Sequence, residues 1–554
     1  MQNAETILGI IEKKSTADKH YKFDRLYRNL FNPDFYLGAY GKIYAKEGNM
    51  TKGTDNETID GFGMKKVNEV IELMKNEQYH FKPVRRVNIP KKDGSKRPLG
   101  IPSFYDKVVQ EISRSILEAI YEPRFSKSSH GFRPKRSCHT ALKQVKREWT
   151  GVKWVIEGDI KGFFDNIDHD ILLTILNEQI HDGRFLELIR KMLKAGYMED
   201  WVFHKTYSGT PQGGIISPIL ANIYLNKLDE FVEQVLIPKY ETNKKKRKMN
   251  TTYNSINGKM VRLSKKIEEL PESSPTRAEL IQVYKELEIE RRNHKVVDEM
   301  DSEFIRVKYV RYADDFIIGV IGSKELTEQL KNEVAEFLQD RLKLTLSPEK
   351  TLITNFKDPV KFLGYEMYIQ DSNTYLVKRK NGRISRAVNG IPRLMVPKEA
   401  IPKKLEKFMR DGKAVHRKEL TNLDIAEIIS IYSAEVRGLY NYYRMADNVA
   451  NQMNKFKHYH RTSLAKTLAV KMRMSVAQVR QKYEVDGTIG IIIKREPPKK
   501  DLIYKYYNEG FSKNDYVESS NHQDDYLPNT NKYSGRNGIV KRLLAEKCEI
   551  CGTD

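Results

Sequence analysis

The sequence predicts an α+β fold, because short apolar runs typical of strands alternate with longer segments of helical periodicity. The strand signal is strongest over 307–320, where β-branched and aromatic residues surround Asp314 and Asp315. Another apolar run ends in Asp159, and the helical spacing is clear over 106–120. If the strand ending at Asp159 neighbours the 307–320 hairpin, three carboxylates meet at one edge of a sheet.

The composition indicates a multidomain, nucleic-acid-binding protein. A chain of 554 residues exceeds one ordinary core, and 97 basic against 74 acidic residues give a net charge of +23. The 31 tyrosines interleaved with this charge suit unstacked bases. Three cysteines, no export signal and no apolar run of about 20 residues predict a cytoplasmic protein with no membrane partner.

The first 150 residues are expected to be mainly helical up to residue 80 and then to form a basic hairpin. Strands at 84–90 and 97–102 flank the Lys-rich turn 91–96. Several cations on one flap could clamp a triphosphate, although a solvated basic hairpin explains the segment equally well when it is taken alone.

The Asp314-Asp315 pair fits either a metal site or a common turn. Two carboxylates at a tight turn repel each other unless a cation lies between them, and Mg²⁺ prefers carboxylate oxygens. Asp159 would complete a set of three that holds two divalent ions for displacement at phosphorus. The alternative is a hairpin turn in which Asp forms only local hydrogen bonds.

Segments between these acids add further expectations. Phe163 lies four residues after Asp159, where its ring could lie under the sugar of an incoming nucleotide. Helices are expected from about 169 to 179 and over 184–201. The Gly-rich loop 209–214 leads into another helix, and its backbone N–H groups could approach a phosphate or base edge; an ordinary loop-to-helix entry is the alternative.

Three motifs resemble those of reverse transcriptases and occur in the same order: residues 159–165, 209–214 and 312–315. Together with 130–134 and Arg311, they resemble the bacterial group II intron-encoded proteins, which combine reverse transcriptase and maturase activities. The resemblance implies a right-hand polymerase, with fingers and an antiparallel palm sheet, followed by an α-helical thumb or maturase domain.

The resemblance also implies a domain order. The expected units are an N-terminal extension with fingers (1–150), a palm with parts of the fingers (151–370), a thumb/maturase domain (371–489), a DNA-binding domain (490–540) and a remnant of a zinc-type endonuclease domain (541–554). The polar segment 240–303 is predicted to be an inserted helical hairpin, either solvated or in contact with structured RNA. Residues 344–351 and 361–365 are expected to complete the palm sheet.

By resemblance, Asp159, Asp314 and Asp315 are catalytic and bind two Mg²⁺ ions, with Mn²⁺ as a substitute and the Ile160 carbonyl as a further ligand. Lys91 and Arg97 would grip the triphosphate, Phe163 would exclude a 2′ hydroxyl, and Gln212 would position the base pair. The residues expected at the nucleotide are Lys91, Arg97, Ile160, Phe163, Gln212 and Lys350. The residues expected to support the primer end are Phe362, Leu363, Gly364 and Tyr365.

The C-terminal third is expected to bind RNA. Basic residues are concentrated over 377–419, and helices are predicted at about 422–445 and 450–483. Tyrosine beside arginine on a helix suits stacking with RNA. The candidate RNA-binding residues are Lys378, Arg379, Lys380, Arg437, Tyr442, Tyr443 and Arg444. Expected partners are group II intron RNA, target DNA with its primer, and dNTPs.

The last motif, Cys548 and Cys551, is half of a tetrahedral zinc site. In the family it opens an endonuclease domain of the His-Asn-His type. Because the sequence ends three residues after Cys551, Zn²⁺ is expected only if other ligands are supplied, and second-strand DNA cleavage is not expected.

The sequence thus predicts an RNA-directed DNA polymerase that copies intron RNA by target-primed reverse transcription and a maturase that promotes splicing. Two alternatives stay open: a splicing-only maturase with a silent polymerase fold, and a reverse transcriptase of a retron or defence system. The complete acid set argues against the first. The long basic thumb and the C-terminal Cys pair argue against the second.

Overall fold

A computed structural model of the chain describes residues 2–515, apart from 45, 47, 56, 91–93, 95, 200–201, 205–208, 210–212, 300, 373–374, 379–383, 387–388 and 497–498. Its α-helices are α1 Ala4–Ala17, α2 Pro33–Tyr44, α3 Met64–Lys75, α4 Phe104–Tyr121, α5 Cys138–Glu148, α6 His169–Asn177, α7 Gly183–Leu193, α8 Ser217–Phe231, α9 Ile237–Tyr240, α10 Thr251–Glu269, α11 Pro275–Asn293, α12 Lys324–Leu342, α13 Ala400–Leu405, α14 Ile425–Tyr443, α15 Val449–Met472 and α16 Val476–Lys482.

The β-strands complete the architecture. They are β1 Val84–Pro90, β2 Lys96–Ile101, β3 Trp154–Asp159, β4 Tyr197–Glu199, β5 Val202–His204, β6 Arg306–Tyr312, β7 Asp315–Ile321, β8 Leu352–Asn355, β9 Val360–Phe362, β10 Tyr365–Ile369, β11 Leu376–Lys378, β12 Ile384–Arg386, β13 Pro392–Met395, β14 Met409–Arg410, β15 Lys413–Ala414, β16 Glu484–Val485, β17 Thr488–Ile493 and β18 Leu502–Lys505.

The central sheet has the order β6-β7-β3-β8, and all its pairs are antiparallel. Strand β7 is apolar on both faces because a hydrophobic core covers each side. Phe316, Ile318 and Val320 point into the N-terminal core, whereas Ile317 and Ile321 point into the core shared with the C-terminal helices. The sheet edge that carries Asp159 and Asp315 therefore lies between two packed bodies.

A separate sheet, β2-β1-β4-β5, contains the predicted basic hairpin. Strands β1 and β2 pair antiparallel from Arg85–Ile101 to Pro90–Lys96, as predicted. Helix α4 follows and buries Val108, Ile112 and Ile116, in agreement with its apolar periodicity.

Beyond the palm sheet, α14 and α15 pack on each other over the second core. The predicted insertion is a helical hairpin of α10 and α11, in which Arg291 donates to Asn257 Oδ1 at 2.6 Å. Only Ile256 and Met260 of α10 are buried, and α11 buries none of its described residues, so this hairpin projects from the body.

Two expectations about local structure are wrong and one is met in part. The helix expected over 184–201 ends with α7 at Leu193, because Gly196 takes a positive φ of 77° and a β-favouring segment follows. Residues 344–351 form no named strand, and β8 starts at Leu352, but Leu346 bridges Ile160 and the Lys161 N–H donates to the Thr345 carbonyl, so the segment pairs with the end of β3. Residues 361–365 belong to the small β13-β10-β9 sheet rather than to the central one.

Candidate active site

Two of the three predicted acids lie directly opposite each other in the central sheet. Asp159 ends β3 and pairs with Asp315, the first residue of β7. Asp314 and Ala313 form the two-residue turn between Tyr312 and Asp315, and Ala313 adopts a φ of +55°. Opposed residues of an antiparallel ladder have Cβ atoms about 4.5–5.5 Å apart, so the register brings the carboxyl groups into one small region.

The electrostatics of this edge disfavour negative charge. Partial burial, with the charges of Asp314 and Asp159, raises the pKa of the Asp315 carboxyl to about 6. Burial, and then the charge of Asp159, raises the pKa of Asp314, while the nearby cations Arg97 and Lys350 act in the opposite direction. The carboxylates thus lack sufficient positive charge from the protein itself.

Lys350, which the sequence predicts to lie near the nucleotide, supplies part of the positive charge beside the acids. Its Nζ lies 3.2 Å from both Oδ1 and Oδ2 of Asp159. Among the residues that the structure describes, no three acidic, histidine or cysteine side chains approach closely enough to hold a metal ion together. The chemistry of the donors suits a hard divalent cation, because carboxylate oxygens are the ligands it prefers: Asp159 and Asp315 lie at paired strand ends, Asp314 lies in the adjacent turn, and two of the three carboxyl groups have raised pKa values.

A fully buried ion pair supports the turn from behind. The Arg311 guanidinium, 0% exposed, donates to Asp229 Oδ1 at 2.7 Å and to Asp229 Oδ2 at 2.6 Å. It also donates to Asn222 Oδ1 at 3.1 Å, to Ser129 Oγ at 2.8 Å and to the Ala313 carbonyl at 2.8 Å. Helix α8, the 128–131 loop and the 312–315 turn are therefore tied to one side chain.

Gly131 packs directly against the main chain of the same turn. A Cβ at this position would lie 2.3 Å from the Ala313 nitrogen. The Gly131 carbonyl accepts from Asn222 Nδ2 at 2.8 Å, and the His130 N–H donates to the Arg311 carbonyl at 2.9 Å. The turn that carries Asp314 is consequently held by main-chain contacts that leave no space for a side chain.

Two glycines of the Gly-rich loop approach neighbouring segments: Gly209 approaches the segment after β3, and Gly213 approaches the basic hairpin. A Cβ on Gly209 would lie 2.8 Å from the Phe164 carbonyl oxygen, and one on Gly213 would lie 2.6 Å from Leu99 Cδ1. Phe163 is 2% exposed, so its ring is packed within the protein rather than on its surface. Ile160 is 3% exposed and forms an isolated bridge with Leu346. Lys91 and Gln212 lie outside the described residues.

The residues expected to support the primer form a tight turn between β9 and β10. Phe362 pairs with Tyr365, and the two residues between them, Leu363 and Gly364, have φ values of +47° and +70°. This is the pattern of a two-residue hairpin turn with positive φ at both central positions. Tyr442 of α14 donates from its hydroxyl to the Leu363 carbonyl at 2.8 Å, which fixes the turn to the C-terminal helices.

The candidate RNA-binding residues divide by exposure. Lys378 and Arg437 are exposed, and Tyr442 is 38% exposed. Tyr443 and Arg444 are each only 8% exposed, which corrects the expectation of RNA contact there: α14 ends at Tyr443 and turns both side chains toward the protein. Arg379 and Lys380, like Cys548 and Cys551, lie outside the described residues.

Sequence reasoning missed the residues that hold the site together. Asn222 and Asp229 lie on α8, and nothing in their spacing indicates a partner 80 or more residues away. Arg311 carried a usable signal, since a charged residue within an apolar strand must be paired if it is buried. His139 was also missed; its Nε2 lies 2.8 Å from the Tyr442 carbonyl oxygen.

Acidic side chains converge at the edge of an antiparallel sheet, a basic hairpin faces them, and a helical body packs on the hairpin turn beside them. This arrangement is that of a polymerase that transfers nucleotides. Two family models match the chain: Reverse transcriptase (RNA-dependent DNA polymerase) over 89–251 and 291–367, and Type II intron maturase over 390–531. The gap in the first match coincides with α10 and most of α11.

Relatives identify the family. The group II intron-encoded protein LtrA of Lactococcus lactis subsp. cremoris is 41% identical over 567 residues, which cover 100% of this chain and 92% of LtrA. The putative COX1/OXI3 intron 2 protein of Saccharomyces cerevisiae is 32% identical over an alignment that covers 93% of this chain and 59% of that protein. The chain belongs to the family of group II intron-encoded proteins with reverse transcriptase and maturase domains.

The family assignment confirms the predicted fold class and activity. The chain is an RNA-directed DNA polymerase with a maturase domain, and its roles are intron mobility and splicing. The structure of telomerase from Candida albicans aligns with this chain at 13% identity and a TM-score of 0.37, which is too low to support an argument. The alignment covers 73% of this chain and 58% of the telomerase chain. No helix of the described residues has the length and apolar character required to cross a membrane.

Proposed function

We propose that Asp159, Asp314 and Asp315 are the catalytic residues and hold two Mg²⁺ ions during the synthesis of DNA on an intron RNA template. The register that places Asp159 opposite Asp315, with Asp314 adjacent in the turn, carries this proposal. When bound, such ions activate the primer 3′ hydroxyl and stabilise the leaving pyrophosphate. Mn²⁺ is a suitable substitute, because it takes the same oxygen ligands.

We propose that the protein's own residues prepare the site for the nucleotide. Arg97 and Lys350 place positive charge beside the acids, where the triphosphate carries its negative charge. Phe163 would exclude a 2′ hydroxyl, the role that the resemblance implies. Lys91, Gln212 and the Ile160 carbonyl keep the roles that the resemblance implies.

The C-terminal body is proposed to bind the intron RNA. Lys378, Arg437 and Tyr442 supply exposed cations and an aromatic ring for phosphate and base contacts. We propose that DNA at a target site supplies the primer and that the protein acts on both nucleic acids in the cytoplasm. We also propose the domain boundaries that the sequence predicts, with the polymerase before residue 371 and the maturase domain after it.

The test is the double variant Asp314→Ala, Asp315→Ala. It is expected to abolish cDNA synthesis on a primed RNA template, while splicing assistance to the intron RNA persists because the C-terminal body is unchanged. Asp170→Ala is the matched control, since it removes an exposed carboxylate from α6, outside the sheet edge. Substantial polymerisation by the double variant would contradict the assignment of the acids.

A further inference from the structure

Phe132 combines two unfavourable features. Its φ is +55°, in the left-handed region that side chains with a Cβ rarely adopt, and its side chain is 49% exposed. An exposed phenyl ring gains little from burial in the protein, so neither local conformation nor packing explains why Phe stands here. Strain of this kind persists only where the surrounding structure imposes it, and it is concentrated at functional sites.

The residues on both sides of Phe132 are fixed. His130 has Nδ1 at 2.8 Å from Thr140 Oγ1, and Gly131 has no room for a Cβ against the catalytic turn. Arg133 is 4% exposed and donates to Glu122 Oε1 at 2.9 Å. The backbone at Phe132 is therefore held in place, and its ring is kept in solvent.

Phe132 shares its backbone conformation with residues of two other turns, 312–315 and 362–365. Of the non-glycine residues with positive φ in the described part of the chain, three are apolar: Phe132, Ala313 and Leu363. Ala313 lies in the catalytic turn, and Leu363 lies in the turn expected to support the primer end. The others are charged residues.

The segment that contains Phe132 connects these two turns in space. At one end, Gly131 abuts the main chain of Ala313. At the other end, His139 contacts Tyr442, whose hydroxyl donates to the Leu363 carbonyl. Phe132 therefore belongs to a stretch of chain that contacts the turn of the acids at Gly131 and the helix holding the 362–365 turn at His139, and its ring is exposed.

We propose that Phe132 is a binding residue for the primer strand, on which the base or sugar of the 3′-terminal nucleotide packs. The inference rests on the proposed function, because it requires that the primer end reach Asp314. A phenyl ring has no donor or acceptor, so the contact accepts every base and suits an enzyme that extends any sequence. A phosphate contact would instead call for Lys or Arg.

The decisive variant is Phe132→Gly, which removes the ring and relieves the backbone strain. Glycine favours a positive φ, so the melting temperature is expected to stay equal or rise. The Kd for an RNA template annealed to a DNA primer, measured at fixed salt, is expected to increase about 10-fold, the usual size of one lost aromatic stack. Phe132→Tyr and Phe132→Trp keep a ring and should retain affinity.

Glu77→Gly is the matched control. Glu77 also has a positive φ, 58°, but lies after α3, so this change should relieve strain without altering the Kd for the primed template. A primer whose 3′-terminal nucleotide lacks its base supplies a second test. Loss of that base should weaken binding to the wild type and should not weaken binding to Phe132→Gly further, because both changes remove the same contact.

The outcomes separate this inference from the function on which it rests. If the wild type extends the primer and folded Phe132→Gly binds the primed template equally well, the inference is overturned and the polymerase assignment stands. Loss of affinity for intron RNA alone, with primer affinity intact, also overturns it. If the wild type extends no primer, the proposed function fails first.

Discussion

Replacement of Asp315 by Asn is predicted to make the protein more stable and catalytically inactive. The folded-state pKa of Asp315 is raised from 3.8 to about 6 by partial burial and by its acidic neighbours. At about 1.4 kcal/mol per tenfold change, the corresponding penalty would be about 3 kcal/mol if solvent did not screen it. Asp315 is only partly buried, and solvent screens the part that remains exposed, so we reduce the expected penalty to about 1 kcal/mol.

The sign of the pH dependence follows from the raised pKa. The protonated form is favoured in the folded state, so its stabilising contribution is complete below about pH 4 and is lost as the pH rises through 6. At pH 7.5 the wild type bears the whole penalty, and Asp315→Asn removes it. The melting temperature of the variant should exceed that of the wild type by about 2 °C at pH 7.5 and by less at pH 5.

The assay is differential scanning fluorimetry of both proteins at the two pH values, without divalent ions, together with primer extension in Mg²⁺. Asp170→Asn serves as the control, because Asp170 is exposed and outside the acidic cluster. Added Mg²⁺ should raise the melting temperature of the wild type more than that of Asp315→Asn. A variant that is less stable than the wild type at pH 7.5 would refute the electrostatic reasoning.

Two further predictions concern buried charge. Arg311→Met leaves the Asp229 carboxylate buried without its counter-charge and should lower stability by about 3–5 kcal/mol in chemical denaturation; adding Asp229→Leu should recover part of that loss. Burial opposes the charged form of Glu435, but hydrogen bonds from His460 and Lys407 outweigh it and lower the pKa to about 2. The ionised Glu435 therefore stabilises the fold above about pH 4.5, and this stabilisation is lost as the pH falls toward 2. Glu435→Gln should lower the free energy of unfolding by about 2 kcal/mol at pH 7 and by little at pH 2.5. Urea denaturation at each pH measures the difference.

The parts of the fold that the sequence predicted are those with local causes. Helix α4 follows from apolar periodicity, and the 307–320 hairpin follows from β-branched strands around a short turn. The prediction that Asp159 lies near Asp315 needed one non-local assumption, that β3 and β7 are neighbours, and the register meets it.

The parts that sequence reasoning missed depend on distant contacts. The partners of Arg311 come from α8 and from the 128–131 loop, and no pattern in either segment specifies that pairing. Tyr443 and Arg444 looked suitable for RNA because tyrosine and arginine stand side by side there, yet tertiary packing decides which side of a helix end is covered. The strain at Phe132 likewise exists only because its neighbours are anchored elsewhere.

The most direct test of the account is to count the divalent ions that the acids hold. We would titrate Mn²⁺ by electron paramagnetic resonance into the protein bound to a primed RNA template, with a chain-terminated primer and the next dNTP present. The wild type should bind two Mn²⁺ ions per complex, and the Asp314→Ala, Asp315→Ala variant should lose both while it still binds the template. Two ions bound with unchanged affinity by that variant would contradict the central claim.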